Sequence, residues 1–253
     1  MSTTRQDLNL YLRNYLHVDD IKDYAPNGLQ VEGREKIGRI VTGVTACLAL
    51  IEKAISLKAD AILVHHGYFW KGESPVITGA KARRIGLLMS TDTNLFGYHL
   101  PLDMHSELGN NVLFAKELGI ELSGEVWTES APGLVLKGTL PDPMDASDFA
   151  AHIETKLKRT PQHIAVPNRP IRNVAWCTGA AQDFIEDAAH AGVDAFLSGE
   201  ISERTTHMAR ELGIHYFACG HHASERYGIQ ALGEHLAKEF NLEHQFVDVD
   251  NPV

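Results

Sequence analysis

The sequence predicts an α/β fold made of two related halves. First, Ala61-Ile-Leu-Val64 is a short, wholly apolar run that follows helical spacing at Leu48, Ile51, Ala54 and Ile55, and the β-branched run Arg39–Thr45 precedes both. Strand, helix, strand is the order of a parallel pair, and a strand apolar on both sides belongs in a sheet covered on both faces. Second, a shift of 134 positions lays Ile40–His66 on Val174–Glu200 without a gap. Seven of the 27 positions are identical, among them Ile51/Ile185, Asp60/Asp194 and Leu63/Leu197, which is the signature of a repeated unit. Third, Leu95-Phe-Gly-Tyr-His99 and Tyr216-Phe-Ala-Cys-Gly-His-His222 are both apolar runs ending in Gly and His.

Taken in order, strand Arg39–Thr45, helix Leu48 to Lys58, strand Ala61–Val64, helix Ala80 to Met89 and the run from Leu95 make the first half. Helical spacing resumes from Val112 to Leu118, where the preceding Asn110 or Asn111 reads first as an N-cap. A strand is expected from Gly133 to Leu140, an amphipathic helix from Asp145 to Leu157 capped by Asp145 or Ser147, and a strand over His163–Val166. Prolines 132, 141, 143, 161, 167 and 170 suit edge strands and turns. The repeat supplies the second strand–helix–strand, then a helix over Thr205 to Leu212. Ile229, Leu232, Leu236 and Phe240 mark a last core-covering helix from Ser224 to Phe240. The halves are expected to span 1–125 and 126–253.

The chain has 253 residues, 44% of them hydrophobic and 22% charged, with no low-complexity tract, so a folded chain with a large core is expected. A formal charge of −10 repels phosphate backbones, and no basic stripe is present, which argues against nucleic-acid binding. The start of the chain lacks the apolar core of a signal peptide, and no run reaches the roughly eighteen apolar residues of a membrane span. A cytoplasmic protein without membrane contact is expected. Cys47, Cys177 and Cys219 are isolated and read as small core residues rather than a disulfide framework or zinc knuckle.

Candidate chemistry gathers at strand ends, where open α/β sheets bind ligands. His65 and His66 follow one strand; His99 and Asp103 follow the next; Glu200 follows Ala195-Phe-Leu-Ser-Gly199; His221 and Glu225 follow Tyr216-Phe-Ala-Cys-Gly220. Fourteen histidines give roughly one His-His pair by chance, so position carries the argument and the dipeptide does not. Each residue also has an ordinary role. Asp103 can cap a turn after Pro101, and Glu225 is a favourable acid in the first turn of a helix. Asp23-Tyr-Ala-Pro-Asn-Gly-Leu-Gln30 is a turn or a pocket wall. As a set, histidines with carboxylates and no thiolate suit zinc, iron(II), manganese or nickel, and are too nitrogen-rich for calcium. The set exceeds what one open catalytic ion takes, so two ions bridged by a carboxylate such as Glu225 and by a water is the economical reading.

The stretches "HHGYFWKG", "GYHLPLDMHSELGNN", "SGEISERTTHMARELGI", "GHHASERYGIQALGEHL" and "DYAPNGLQVEG" resemble the NIF-three-like family, whose bacterial members carry the label GTP cyclohydrolase type two homologue. The resemblance runs along essentially the whole chain, in the short bacterial form. It implies two interlocked α/β halves, a dinuclear metal site in the cleft between them and a ring-shaped homohexamer. Carried over by position, it implies His65, His66, Asp103, His221 and Glu225 as ligands, with His99 as a further ligand or supporting partner. Glu200 and His207 match another family motif and are the expected proton carriers. Gly67 stands where the family usually has proline. The expected activity is a dinuclear metal-dependent hydrolase: a water acidified by two cations attacks an electrophilic carbon. The family label implies a purine nucleotide or pterin-like ring whose C–N bond opens. Phosphoester hydrolysis and a non-catalytic metal-binding scaffold are the alternatives.

Overall fold

Arg39–Thr45 and Ala61–His66 are parallel strands joined through the helix Leu48–Ser56, as their apolar patterns require. The computed structural model describes residues 2–253, in two compact units. One unit comprises the residues up to Leu108 together with Gly228–Asp250, the other Gly109–Tyr227 with Asn251–Val253. The sequence divides the chain at 125/126, whereas its contacts divide it at 108/109 and return Gly228–Asp250 to the first unit. The physical cause lies in two elements. Helix Asn110–Leu118 sends Phe114 and Leu118 into the second unit's core, and strand Glu243–Phe246 pairs with Arg39–Thr42 of the first.

In the first unit the sheet order is Glu243–Phe246, Arg39–Thr45, Ala61–His66, Asn94–Gly97, Gly28–Val31, all parallel except the last. Alternation along the strands gives the sheet two apolar faces. Ile40, Val44, Leu63 and Phe96 pack with Leu8 and Leu12 of helix Arg5–Tyr15 and with Ile229, Leu232 and Leu236. Val41, Ile62, Val64 and Leu95 pack with Leu50, Ile51 and Ala54 and with Ile85 and Leu88 of helix Gly79–Ser90.

In the second unit the order is Glu121–Glu125, Leu136–Met144, Ile171–Trp176, Ala195–Ser198, His215–Ala218, Gln162–Ile164, with the third, fourth and fifth strands parallel. Phe149, Ile153 and Leu157 of helix Ala146–Leu157 cover Val174, Trp176, Leu197 and Phe217. Both sheets thus carry three parallel strands with an antiparallel strand beside the third. They differ on the other side, where the first unit has a parallel strand and the second an antiparallel one.

One device recurs. Asp60 accepts from the backbone N–H groups of Gly38 and Arg39 and pairs with Arg34 at 3.1 Å; Asp194 accepts from those of Arg172 and Asn173 and pairs with Arg169 at 3.2 Å. Each arginine also donates to nearby carbonyl oxygens, Arg34 to Thr91 and Asp92, Arg169 to Val193 and Gly213. Each clamp fastens the start of its first parallel strand to the start of the next.

Several element ends differ from the sequence reading. His65 and His66 are the last two residues of their strand rather than residues beyond it, because His66 pairs with Thr45 in the ladder. Asn110 and Asn111 lie inside the helix, buried, with Gly109 at the cap position. The Asn111 side chain donates to the Leu134 carbonyl and accepts from Thr178 N–H, so it joins segments rather than capping. Asp145 occupies the N-cap position of its helix without a side-chain cap bond. The strand expected from Gly133 to Leu140 is Leu136–Met144; its ladder shifts between Thr139 and Met144, and Pro141 and Pro143 fall in that stretch. The last long helix begins at His221, not Ser224. Cys177 and Cys219 are core residues, and Cys47 is half-buried.

Candidate metal centre

Side chains alternate along a strand, so the adjacent histidines that end Ala61–His66 leave in different directions. His65 is buried. Its Nδ1 donates to the carbonyl oxygen of Tyr98 at 2.9 Å, which puts the lone pair on Nε2, 3.4 Å from Oδ1 of buried Asp103. His66 shares a 3.1 Å hydrogen bond through Nδ1 with Oγ1 of Thr45, its ladder partner.

His99 follows strand Asn94–Gly97 and stands at the N-cap position of the short helix Leu100–Met104, which carries Asp103. Its Nδ1 donates to the Asp23 carboxylate at 3.0 and 3.2 Å, which again leaves the lone pair on Nε2. Ligand-type nitrogens of His65, His66 and His99 all lie within 4.8 Å of one another. Three imidazoles, two with tautomers set by acceptors on Nδ1, with a buried carboxylate beside them, fit a divalent transition ion by donor chemistry.

Asp23 is the hub of the supporting layer. It accepts from the N–H groups of Tyr24, Ala25 and Leu100 and from the Asn27 amide, and Asn27 in turn accepts from His99 N–H. Burial works to raise the Asp23 pKa, but His99 first, and then the Asn27 amide and Leu100 N–H, outweigh burial and hold it at about 2. Gln30, a turn or more along, donates to the Pro26 carbonyl and accepts from Tyr68 N–H. Its amide lies so close to Gly67 and Gly97 that a β-carbon at Gly67 would come within 2.1 Å of Oε1. That packing accounts for glycine after the histidine pair.

In the second unit two residues separate strand His215–Ala218 from the start of the helix His221–Phe240. The spacing of four places His221 and Glu225 on one face. His221 donates through Nδ1 to Glu200 at 2.7 Å, and its Nε2 lies 3.0 Å from Glu225 Oε2. Burial alone would lower the His221 pKa; Glu225 first and then Glu200 outweigh it and raise it to about 9. Gly179 has φ +69°, and a β-carbon there would lie 2.2 Å from Glu225 Oε1, so glycine makes room for the carboxylate.

The structure therefore brings together His65, His66, His99 and Asp103 in one unit and Glu200, His221 and Glu225 in the other. His207 is on the helix Glu203–Leu212, exposed, with Nε2 3.0 Å from Glu203. Sequence reasoning placed Asp23 and Asn27 in a turn or pocket wall without assigning them partners, and missed Thr45 and Gly179. The carboxylate and amide flanking Ala-Pro in "DYAPNG" were the available signal for the first two.

The comparisons with known proteins concern the family and the fold. Residues 3–252 match the family described as Duf34/NIF3 (NGG1p interacting factor 3). A Vibrio cholerae protein named GTP cyclohydrolase 1 type 2 homolog is 55% identical over 249 residues, 97% of this chain and 98% of the relative. Its Pseudomonas aeruginosa namesake is 53% identical over 238 residues, 94% of each chain. Among solved structures, the protein ybgI, described as of unknown function, superposes with a TM-score of 0.95 at 49% identity, covering 99% of this chain and 100% of that one. TTHA1606 from Thermus thermophilus gives a TM-score of 0.89 at 30% identity, with 99% and 100% covered. With a match along nearly its whole length and relatives at about half identity, the chain belongs to the DUF34/NIF3 family.

Proposed function

We propose that this protein is a metal-dependent hydrolase that holds two divalent ions, with His65, His66, His99 and Asp103 as ligands from the first unit and His221 and Glu225 from the second. The observation that carries the reading is the set of acceptors on Nδ1. The Tyr98 carbonyl, Asp23 and Glu200 each hold an imidazole of the set by the same nitrogen, the arrangement that orients metal-binding histidines. When bound, the ions supply Lewis acidity and a water that ionises near neutral pH. Glu200 is assigned to positioning: its carboxylate accepts the Nδ1 proton of His221, so Nε2, beside Glu225, is the nitrogen whose proton a metal ion would replace. Asp23 likewise accepts the Nδ1 proton of His99. No step is assigned to His207, whose ring pairs with Glu203.

The relatives' printed name supports a C–N bond of a purine nucleotide or pterin-like ring as the target. Leu122 and Trp127, 52% and 67% exposed, support self-association, for which a homohexameric ring is proposed. The matched Asp60 and Asp194 clamps support descent of both units from one duplicated α/β unit.

The test is Glu225→Gln. Metal analysis after dialysis should show uptake lost, and turnover of GTP or a pterin, followed by ring absorbance with released phosphate assayed in parallel, should go with it. Full metal content in the variant would remove the ligand assignment. Phosphate release with an intact ring would move the activity to phosphoesters, and ligand binding without turnover across iron(II), manganese and zinc would make the protein a scaffold.

A further inference from the structure

Beside His99 the first unit holds two aromatic rings that its core does not use. The Trp70 ring stands 4.9 Å from that of His99, nearly perpendicular at 82°, and 6.0 Å from that of His66. The Tyr24 ring stands 5.0 Å from His99 at 70° and 5.8 Å from Trp70, and Tyr24 is 54% exposed. A tyrosine placed for packing alone would be expected to bury more of its ring.

Both rings are held in place from several sides. Trp70 donates its indole N–H to the Gly67 carbonyl at 3.2 Å. The N–H groups of Phe69 and Trp70 both donate to one oxygen of Glu73, at 2.8 and 3.1 Å, and Lys81 pairs with Glu73 and lies over the Phe69 ring. Lys71 N–H donates to the Tyr24 carbonyl at 2.8 Å, which ties the two loops together, and Tyr24 N–H is held by the carboxylate that orients His99. Phe69 adopts φ +67°, a left-handed conformation costly for a bulky side chain. Strain of this kind persists where the surroundings impose it, and it concentrates at ligand sites.

We propose that Tyr24 and Trp70 form a wall on which a planar heteroaromatic ring of the substrate stacks beside His66 and His99. The proposal deepens the hydrolase reading and rests on it. Stacking accepts any flat π-face, so this wall selects the class of ring and orients it without choosing among rings of that class. Its preorganisation means that little ordering cost falls on binding.

The test is equilibrium dialysis of the metal-loaded full chain with guanosine and, separately, ribose 5-phosphate, for wild type, Tyr24→Ala, Trp70→Ala and Trp70→Phe. Guanosine binding should weaken about tenfold in each alanine variant, the range of lost base stacking, and return with phenylalanine. Metal content and ribose 5-phosphate binding should be unchanged. Equal guanosine affinity in all four proteins, or no guanosine binding by metal-loaded wild type, would overturn the wall, as would a parallel loss of ribose 5-phosphate binding. Failure to retain metal in wild type would instead strike the hydrolase reading, with guanosine retention still reporting on the rings.

Discussion

An imidazole ligates a metal only through the nitrogen that carries no proton, and the group on the other nitrogen decides which one that is. At His99 the deciding group is Asp23. Asp23→Asn should weaken metal affinity about 10- to 100-fold, the usual cost of losing such a partner, in a competition titration with a metal chelator. Unchanged affinity would deny Asp23 the orienting role. At Gly179 the constraint is space and backbone together, so Gly179→Ala should lower stability by about 1–3 kcal/mol in urea unfolding. The ligand-type residues were legible because strand and helix periodicity fixed which chain positions reach a strand end. The role of Asp23 was not, since its loop reads as a turn or a pocket wall alike and its partner lies 76 positions away. Nor could spacing reveal that Glu200 is bonded to His221, or that His207 is paired within its own helix.

At the scale of elements, the edge strand Gln162–Ile164 is fastened by a pair of neutral histidines. His163 stacks on Phe217 with centroids 4.2 Å apart and hydrogen-bonds His215 at 3.1 Å, and His215 accepts from Val166 N–H. Burial, and then His215, lower the His163 pKa from 6.5 to about 4. Because the folded value is the lower one, the strand's contribution is fully present above pH 6.5. It falls as pH drops from there, and the loss is complete below about 4. Discounted for the partial exposure of the ring, the loss is about 1–2 kcal/mol, and His163→Phe should flatten that part of the stability–pH curve. Coincident curves for the two proteins would reject the assignment. The last helix gives a simpler expectation: Leu232, fully buried against the first sheet, should cost about 2–5 kcal/mol as alanine. The sequence revealed most of these elements through their apolar periods but misplaced their ends by a few residues. Ends are settled by partners distant in the chain, as when Thr45 extends the strand through His66.

For the whole molecule, ions bound only by the folded chain stabilise it by mass action, about 2.7 kcal/mol per site at a hundredfold excess over the dissociation constant. Chelation should therefore lower the thermal midpoint by several degrees in calorimetry, and restoring metal should reverse the change; an unaltered midpoint would count against the ligand set. The α/β character of the chain was legible from its apolar strand and helix periods, whereas the return of Gly228–Asp250 to the first unit was not, because a helix that covers a core carries no mark of which core it covers. That return also bears on synthesis. Domains ordinarily fold in the order in which they leave the ribosome. Here the first unit waits for Ile229, Leu232, Leu236 and its edge strand Glu243–Phe246, whereas the second unit's core draws on the continuous stretch from Phe114 to Tyr227. The half translated first is thus the half whose core closes last, and a chain truncated after Tyr227 would leave the first sheet without Ile229, Leu232 and Leu236 on one face and without its edge strand Glu243–Phe246.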